Sequence, residues 1–227
     1  MTKHRRLRFV TAFVNAAAAI LVVAGTATAQ EAKQNAADAE WLVNVLEIRQ
    51  GSVVGEIGAG DGALSFALAR AAGPSGRVYS NELNKDRLEA LRKEAEKQGI
   101  TNVTTLEGRE KETNFPEACC DAVFMRNVYH HFDDPPAMNA SLLKSLKPGG
   151  RLAVIDFTPP PTPNSENPPG RRGEDNHHGI TAATLEKELR AAGFEILSAE
   201  TRNRAVMVVA RKAPATQPSP TTRPTGS

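Results

Sequence analysis

One glycine-rich stretch constrains the fold of this chain more than any other segment. A run of apolar, β-branched residues from Val53 leads into Gly58, Gly60 and Gly62, and a helix-like segment begins at Leu64. Glycine allows a ligand to approach the backbone closely, and the N-terminus of the following helix presents unpaired N–H groups. A strand, a glycine turn and a helix in this order therefore predict a binding site for a nucleotide-type cofactor.

The chain begins with a segment that is typical of an export signal. Its basic residues are Lys3, Arg5, Arg6 and Arg8. An apolar run from Phe9 to Gly25 follows, and Ala27-Thr28-Ala29 then forms the small-x-small pattern that signal peptidase cuts. We expect residues 1–29 to be removed as a signal peptide, which leaves an exported protein, periplasmic or extracellular, without stable membrane insertion. An uncleaved anchor is the alternative, because the apolar run approaches the length of a short membrane span.

The charge of the chain argues against one class of partner. The 227 residues include 28 Lys and Arg against 26 Asp and Glu. Four of the basic residues belong to the leader, so the remainder is slightly acidic and lacks the basic surface that binds nucleic acid. Residues 30–212 suffice for one domain with a sizeable core. Residues 213–227 are rich in Pro and Thr and predict a disordered tail; no oligomeric state follows from the sequence.

Strands and helices alternate along the rest of the chain. The predicted strands are Ser52–Ile57, Arg77–Asn81, Val103–Leu106, Asp121–Met125 and Arg151–Phe157, the last entered through a turn at Lys147–Gly150. The predicted helices are Asp38–Glu47 with Asp38 as N-cap, Gly62–Ala72, Lys85–Gln98, Pro136–Leu146 and a helix that Thr181 caps and that ends at Ala192. Such alternation indicates a parallel sheet with helices on both faces.

The end of the chain predicts a different kind of connection. The last two apolar runs, Phe194–Glu200 and Ala205–Ala210, are joined by the four residues Thr201–Arg204. So short a connection forces a hairpin, and the final strand should therefore be antiparallel. We predict an α/β fold with a seven-stranded, mostly parallel sheet that ends in an antiparallel hairpin.

The glycine stretch by itself is compatible with two cofactors. Gly58-x-Gly60-x-x-Ala63, with Glu82 about 20 residues later, satisfies the dinucleotide fingerprint of NAD-linked enzymes. Glu82 would bind vicinal ribose hydroxyls in either case. Three features favour a nucleotide cofactor other than NAD. Glu56 lies inside an apolar strand, where burying a carboxylate is costly unless it has a function. A third glycine stands at position 62, and the predicted sheet ends in a hairpin.

With these motifs the chain resembles the class I S-adenosylmethionine-dependent methyltransferases. The matching segments are Glu56–Gly62, Glu82, Asp121–Phe124 with Tyr129–Phe132, and Leu143–Leu152. The resemblance extends from Leu42 to Lys212, and the order of the motifs is more specific than any single one. It implies a Rossmann-like methyltransferase fold, S-adenosyl-L-methionine as cofactor and methyl transfer to a small-molecule acceptor. The alternatives are a non-catalytic protein that binds this cofactor or a nucleotide, and an NAD-linked Rossmann enzyme.

The resemblance also implies roles for individual residues. Gly58, Gly60 and Gly62 would line the methionine and ribose parts of the cofactor, and Glu82 would hold the ribose hydroxyls. Asn127, at the end of the fourth strand, would lie near the methionine end.

Two further acids complete the implied cofactor site. Glu56 opens the glycine motif two positions before its first glycine. After Leu106-Glu107-Gly108 the family usually has an acid that meets the adenine amino group. Arg109 stands there instead, so Glu110 would have to substitute.

Histidines lie where the acceptor of such an enzyme would bind. A base is needed only if the acceptor arrives protonated, and histidine suits that role near neutral pH. His130 and His131 follow the fourth strand, and His177 and His178 close the loop after the fifth. We name His130, His131 and His177 as candidate catalytic residues. The alternatives are that the first pair is structural and that the second pair is solvated.

A metal site is another interpretation of these histidines, together with Asp133, Asp134 and Asp156. Adjacent residues seldom bind the same ion, and the metal-dependent branch of the family has an acid where Met125-Arg126 stands here. We therefore predict no metal. The loop Pro159–Gly179 is predicted to cover the acceptor, because its prolines lower the cost of ordering it; a plain insertion is the alternative.

Overall fold

The computed structural model describes most of the chain: residues 29–160, 168–173 and 178–215. Apart from Ala29, the predicted leader lies outside the described residues, and so does the predicted tail apart from residues 213–215. Cleavage, export and disorder of the tail therefore stay predictions. Within the described ranges, no helix is both long and apolar enough to cross a membrane.

The chain divides into two compact units, residues 1–41 and 42–227. The described residues of the first unit are helical, and this helix, α1 (residues 29–45), continues into the second. Asp38 lies inside α1, where its Oδ1 accepts a hydrogen bond of 2.7 Å from Gln34 Nε2. The predicted helix start at Asp38 was wrong because the residues before it are also good helix formers.

A seven-stranded sheet forms the centre of the second unit. Its strands are β1 (Val53–Ile57), β2 (Arg77–Glu82), β3 (Val103–Glu107), β4 (Cys120–Arg126), β5 (Leu146–Phe157), β6 (Phe194–Arg202) and β7 (Ala205–Lys212). Their order is β3-β2-β1-β4-β5-β7-β6. Strand β7 runs antiparallel to both neighbours, whereas the other pairings are parallel. This arrangement confirms the predicted sheet and its terminal hairpin.

Four further helices connect the strands: α2 (Ala63–Ala72), α3 (Lys85–Lys97), α4 (Pro135–Ser145) and α5 (Ala182–Ala191). Asn84, Asp134 and Thr181 cap the last three, because the side chain of each accepts a backbone N–H bond from the first turn. A short 3₁₀ helix, Tyr129–His131, precedes α4.

The helices cover both faces of the sheet, as predicted. On one face, Val123 of β4 packs in an apolar cluster with Leu142 of α4 and Leu185 of α5. A separate cluster holds Phe66 of α2 and Leu91 of α3. Side chains alternate between the faces along each strand, so one sheet supplies both layers of the core.

Two connections differ from the prediction. Lys147–Gly150, expected to form a turn, belongs to β5, whose pairing with β4 shifts register between Cys120 and Ala122. A bulge therefore absorbs these residues. In the terminal hairpin the turn is only Asn203 and Arg204, with φ of 48° and 71°. Positive φ at both central residues gives the turn a twist that matches its strands.

Candidate cofactor and acceptor site

A cleft of about 600 Å³ opens at the carboxyl ends of β1, β2 and β4. The chain proceeds from β1 to β2 on one side and from β4 to β5 on the other, so the cleft lies where the strand order reverses. Open α/β sheets bind ligands at this position, and the volume suits a small molecule. All predicted cofactor residues except Gly62 line the cleft: Glu56, Gly58, Gly60, Glu82, Glu110 and Asn127.

Gly62 has a different place from the one predicted. It is the N-cap of α2 at φ 81°, and it does not line the cleft. A Cβ there would lie 2.9 Å from Phe66 Cζ and 3.0 Å from Leu91 Cγ. Gly62 therefore allows α2 and α3 to pack closely, a role that its spacing in the motif could not distinguish from ligand contact.

Gly58 and Gly60 have left-handed backbone angles, with φ of 69° and 57°. A Cβ on Gly58 would lie 2.6 Å from Val128 Cγ2, whereas a Cβ on Gly60 would meet nothing within 4 Å. The first glycine thus accommodates the connection after β4, and the second leaves the backbone open toward a ligand.

Glu82, at the end of β2, holds the glycine loop in position. Its Oε2 accepts a hydrogen bond from the Gly60 N–H and its Oε1 one from the Asn84 N–H, both of 2.9 Å. Each carboxylate oxygen has a further lone pair. The side chain can therefore still accept hydrogen bonds from two vicinal hydroxyls.

Asn81 is a site residue that the sequence reasoning missed. Its Oδ1 accepts a hydrogen bond of 3.0 Å from the Gly58 N–H, and its Nδ2 donates one of 2.8 Å to the Thr113 carbonyl. It also lines the cleft. The signal in the sequence was an amide directly before Glu82, at the carboxyl end of a predicted strand. In the structure this side chain is buried.

Glu56 is buried in β1 and lines the cleft. Its Oε2 accepts a hydrogen bond from Ser65 Oγ, which lies 2.6 Å from Ser80 Oγ. Burial raises the pKa of Glu56 to about 8, although the Ser65 donor and the positive charge of Arg126 oppose the rise. The carboxyl is therefore largely neutral at pH 7, and a cation bound beside it would favour its ionised form.

The expected adenine end combines an apolar and an acidic group. Leu83, at the rim of the cleft, exposes 61% of its surface, and an apolar side chain so placed can cover a flat base. Arg109 forms a salt bridge with Glu112. Glu110 lines the cleft beside it and stays the predicted partner of the adenine amino group.

The histidines come together beside the cleft. His130 is buried, with its Nδ1 2.8 Å from Asp156 Oδ1 and its Nε2 3.0 Å from His178 Nε2. His131 lines the cleft, and its pKa is lowered first by burial and then by the neighbouring His130 and His178. Of the predicted catalytic residues, His131 thus reaches the cleft and His130 does not line it. His177 lies outside the described residues.

Comparison with known proteins agrees with this geometry. Residues 55–154 match the family model described as a methyltransferase domain. The central part of the chain is thus similar to a methyltransferase domain. It is 29% identical over 122 residues to the ubiquinone/menaquinone biosynthesis C-methyltransferase UbiE of Saccharophagus degradans, a match that covers 53% of this chain and 49% of the relative.

A second curated relative is the nocamycin O-methyltransferase of Saccharothrix syringae, 29% identical over 55% of this chain and 44% of its own length. The chain thus spans about half the length of these two curated relatives. A solved S-adenosylmethionine-dependent methyltransferase from Aquifex aeolicus has the same fold, with a TM-score of 0.65 and 22% identity over 77% of this chain and 89% of that one. The structural comparison confirms the predicted Rossmann-like methyltransferase fold, and the match to a methyltransferase domain agrees with the predicted cofactor, S-adenosyl-L-methionine.

An ion pair with a buried arginine anchors the loop after β5 on α5. Arg172 is 1% exposed, and its Nη2 and Nη1 lie 2.5 Å and 3.1 Å from the two carboxylate oxygens of Glu188 in α5. The Tyr129 hydroxyl donates a hydrogen bond to Glu188 and accepts one from Asn139 Nδ2. Burial, and next the charge of Glu188, raise the pKa of Tyr129. The described part of the loop is thus fixed near the cleft; its covering of the acceptor stays a prediction.

Proposed function

We propose that the protein transfers the methyl group of S-adenosyl-L-methionine to a small-molecule acceptor. The observation that carries the proposal is the carboxylate of Glu82, held against the glycine loop in a cleft at the switch point of the sheet. The names of the two relatives, one for ubiquinone and menaquinone biosynthesis and one for nocamycin, support a small organic acceptor.

The residues of the cleft fit this cofactor. The open space beside Gly60 lets a ligand reach the backbone. Glu82 offers a carboxylate to vicinal hydroxyls, and Leu83 offers an apolar surface to a base. Glu56 offers a carboxyl to a cationic methionine end. A nucleoside with a positively charged tail therefore has a matching group for each of its parts.

The reaction requires alignment more than acid–base chemistry. When bound, the cofactor supplies an electrophilic methyl group on a sulfonium that is also the leaving group. Glu82 would orient it, the open backbone at Gly60 would let it lie against the glycine loop, and the cleft walls would exclude water. His131 would accept the proton of a protonated acceptor, because burial and the neighbouring histidines lower its pKa and so favour the neutral ring, the form that can take up a proton.

Calorimetry and a transfer assay test the proposal. We expect the purified protein to bind S-adenosylmethionine and S-adenosylhomocysteine, and to transfer labelled methyl groups to a member of a panel of phenols, quinols, enols and amines. Binding without transfer to any acceptor would favour the non-catalytic alternative. Binding of NAD but of neither S-adenosyl compound would contradict both the methyltransferase proposal and the non-catalytic alternative.

We also propose that the protein is exported. The basic start, the apolar run and Ala27-Thr28-Ala29 support this proposal. N-terminal sequencing of the protein recovered from the periplasm or medium should begin at Gln30. Recovery from the cytoplasm with the first residues still in place would contradict it.

A further inference from the structure

Three imidazoles meet beside the cofactor cleft. One ring nitrogen of each of His130, His131 and His178 lies within 4.8 Å of the other two. Two nitrogens bound to one zinc ion at about 2.0–2.1 Å each are at most about 4.2 Å apart. Small side-chain rotations would therefore bring all three nitrogens to a single ion.

The environment of His130 prepares its Nε2 to bind a metal. Its Nδ1 lies 2.8 Å from Asp156 Oδ1. Asp156 is buried and also accepts the backbone N–H groups of His130 and Phe157, at 3.2 Å and 2.8 Å. Both oxygens of Asp156 act as acceptors toward these N–H groups, so the ring proton resides on Nδ1 and Nε2 presents a lone pair. Metal-bound histidines almost always have such a second partner, often a carboxylate.

The backbone places His178 opposite this lone pair. Its Nε2 lies 3.0 Å from His130 Nε2. The chain returns to the end of β5 directly after His178, where the Ile180 N–H donates 2.8 Å to the Phe157 carbonyl. At Gly179, φ is 120° and a Cβ would lie 2.4 Å from the same carbonyl, so this approach requires glycine. The backbone at Gly179 and Ile180 therefore holds the His178 ring next to the His130 ring.

One of the two sequence-based objections to a metal was that His130 and His131 are adjacent. In the 3₁₀ turn Tyr129–His131 their ring centroids lie 4.0 Å apart, with 42° between the ring planes. The centroids of His131 and His178 are 5.7 Å apart. The turn thus brings neighbouring side chains to one side, which an extended chain would not do.

We propose that His130, His131 and His178 bind a divalent transition-metal ion of the zinc class, with Asp156 as the positioning residue for His130. Three histidine ligands are typical of sites that keep one coordination position open. His131 also lines the cofactor cleft, so the ion would lie on its acceptor side. If the proposed methyl transfer is correct, the ion would bind an acceptor oxygen or nitrogen and lower its pKa, and it would do so in place of His131 as a base, because His131 would then be a metal ligand.

Metal titration tests the site without the cofactor. Full-length protein without an affinity tag is stripped with a chelator and titrated with Zn²⁺ by calorimetry and with Co²⁺ by visible absorption. We expect one ion per chain. His178→Asn and His131→Ala should each weaken binding more than about 100-fold, and Asp156→Asn by about 10–100-fold. Cys119→Ser, which removes a half-buried thiol elsewhere, is the control and should bind like the wild type.

Three results would overturn the metal site. The first is no saturable binding by the wild type, which would leave the His130–His178 contact as a hydrogen bond. The second is undiminished binding by both histidine variants, and the third is loss of binding by the cysteine variant alone. Thermal unfolding in chelator verifies that each variant is folded. Because no S-adenosyl compound is present, metal binding and methyl transfer succeed or fail independently.

Discussion

The carboxylate of Glu82 accepts hydrogen bonds from Gly60 and Asn84 through separate oxygens. Glu82→Gln replaces one acceptor by an N–H₂ group and removes the charge. We expect the Kd for both S-adenosyl compounds to rise about 10–100-fold, since a hydrogen bond to a charged group contributes about 1.5–3 kcal/mol. Glu107→Gln is the control for calorimetry, because Glu107 ends the neighbouring strand and pairs with exposed Lys85. Equal losses in both variants would refute the ribose assignment.

The buried carboxyl of Glu56 makes stability depend on pH. Its pKa is raised from 4.5 to about 8 by burial. Between these values the folded state holds a proton that the unfolded state has lost, so the free energy of unfolding falls as pH rises. The total change is about 5 kcal/mol. Glu56→Gln removes this pH dependence. In urea unfolding without cofactor, the unfolding free energy of the variant should therefore rise relative to that of the wild type from about pH 5 to about pH 8. A constant difference would show that Glu56 is already ionised.

At the scale of the glycine loop, packing adds to backbone strain. Gly58 and Gly99 have similar φ, 69° and 67°, but a Cβ on Gly99 would meet nothing within 4 Å. Gly99→Ala should cost about 1–2 kcal/mol of unfolding free energy. Gly58→Ala should cost about 1–3 kcal/mol more, because its Cβ would clash with Val128. Urea unfolding measures both, and Val128→Ala should restore part of the loss. No restoration would rule out the clash as the cause.

The anchor of the loop after β5 belongs to the same scale. Arg172→Ala removes the charged partner of Glu188, whose side chain is 20% exposed and keeps its hydrogen bond from Tyr129, so the loss should be about 3 kcal/mol of unfolding free energy. Arg190→Ala removes an exposed ion pair with Glu186 on the same helix and should cost about 0.5 kcal/mol or less. Replacing both buried partners, Arg172→Met with Glu188→Leu, should recover much of the loss. If Arg172→Ala costs no more than Arg190→Ala, the buried pair does not anchor the loop.

For the whole molecule, cofactor binding should appear as thermal stabilisation. A ligand at 100 times its Kd stabilises the folded state by about 2.7 kcal/mol. For a domain of this size that raises Tm by about 5–10 °C. We expect S-adenosylhomocysteine to produce this shift in differential scanning calorimetry and NAD to produce none. If NAD alone raises Tm, the glycine motif binds a dinucleotide and not an S-adenosyl compound.

What the sequence could predict at this scale was the fold and most of the cofactor cleft. The short connection between the last two strands predicts the hairpin. The tight turn after β1 needs glycine at positions 58 and 60, and such a local requirement is visible in the sequence. Gly62 shows the limit of such reasoning. Its position in the motif matches ligand contact, but the packing of Phe66 against Leu91 decides its role.

By itself, the sequence determined the order of strands and helices and the cofactor loop, because these depend on local backbone preferences and connection lengths. Only the tertiary structure decided which distant side chains meet. Asp156 and His178 are 26 and 48 residues from His130, yet both contact its ring. The burial of Glu56, which sets its pKa, likewise depends on α2, whose Ser65 donates to the carboxyl. Contacts of this range arise from the topology of the sheet, which brings the ends of β4 and β5 side by side.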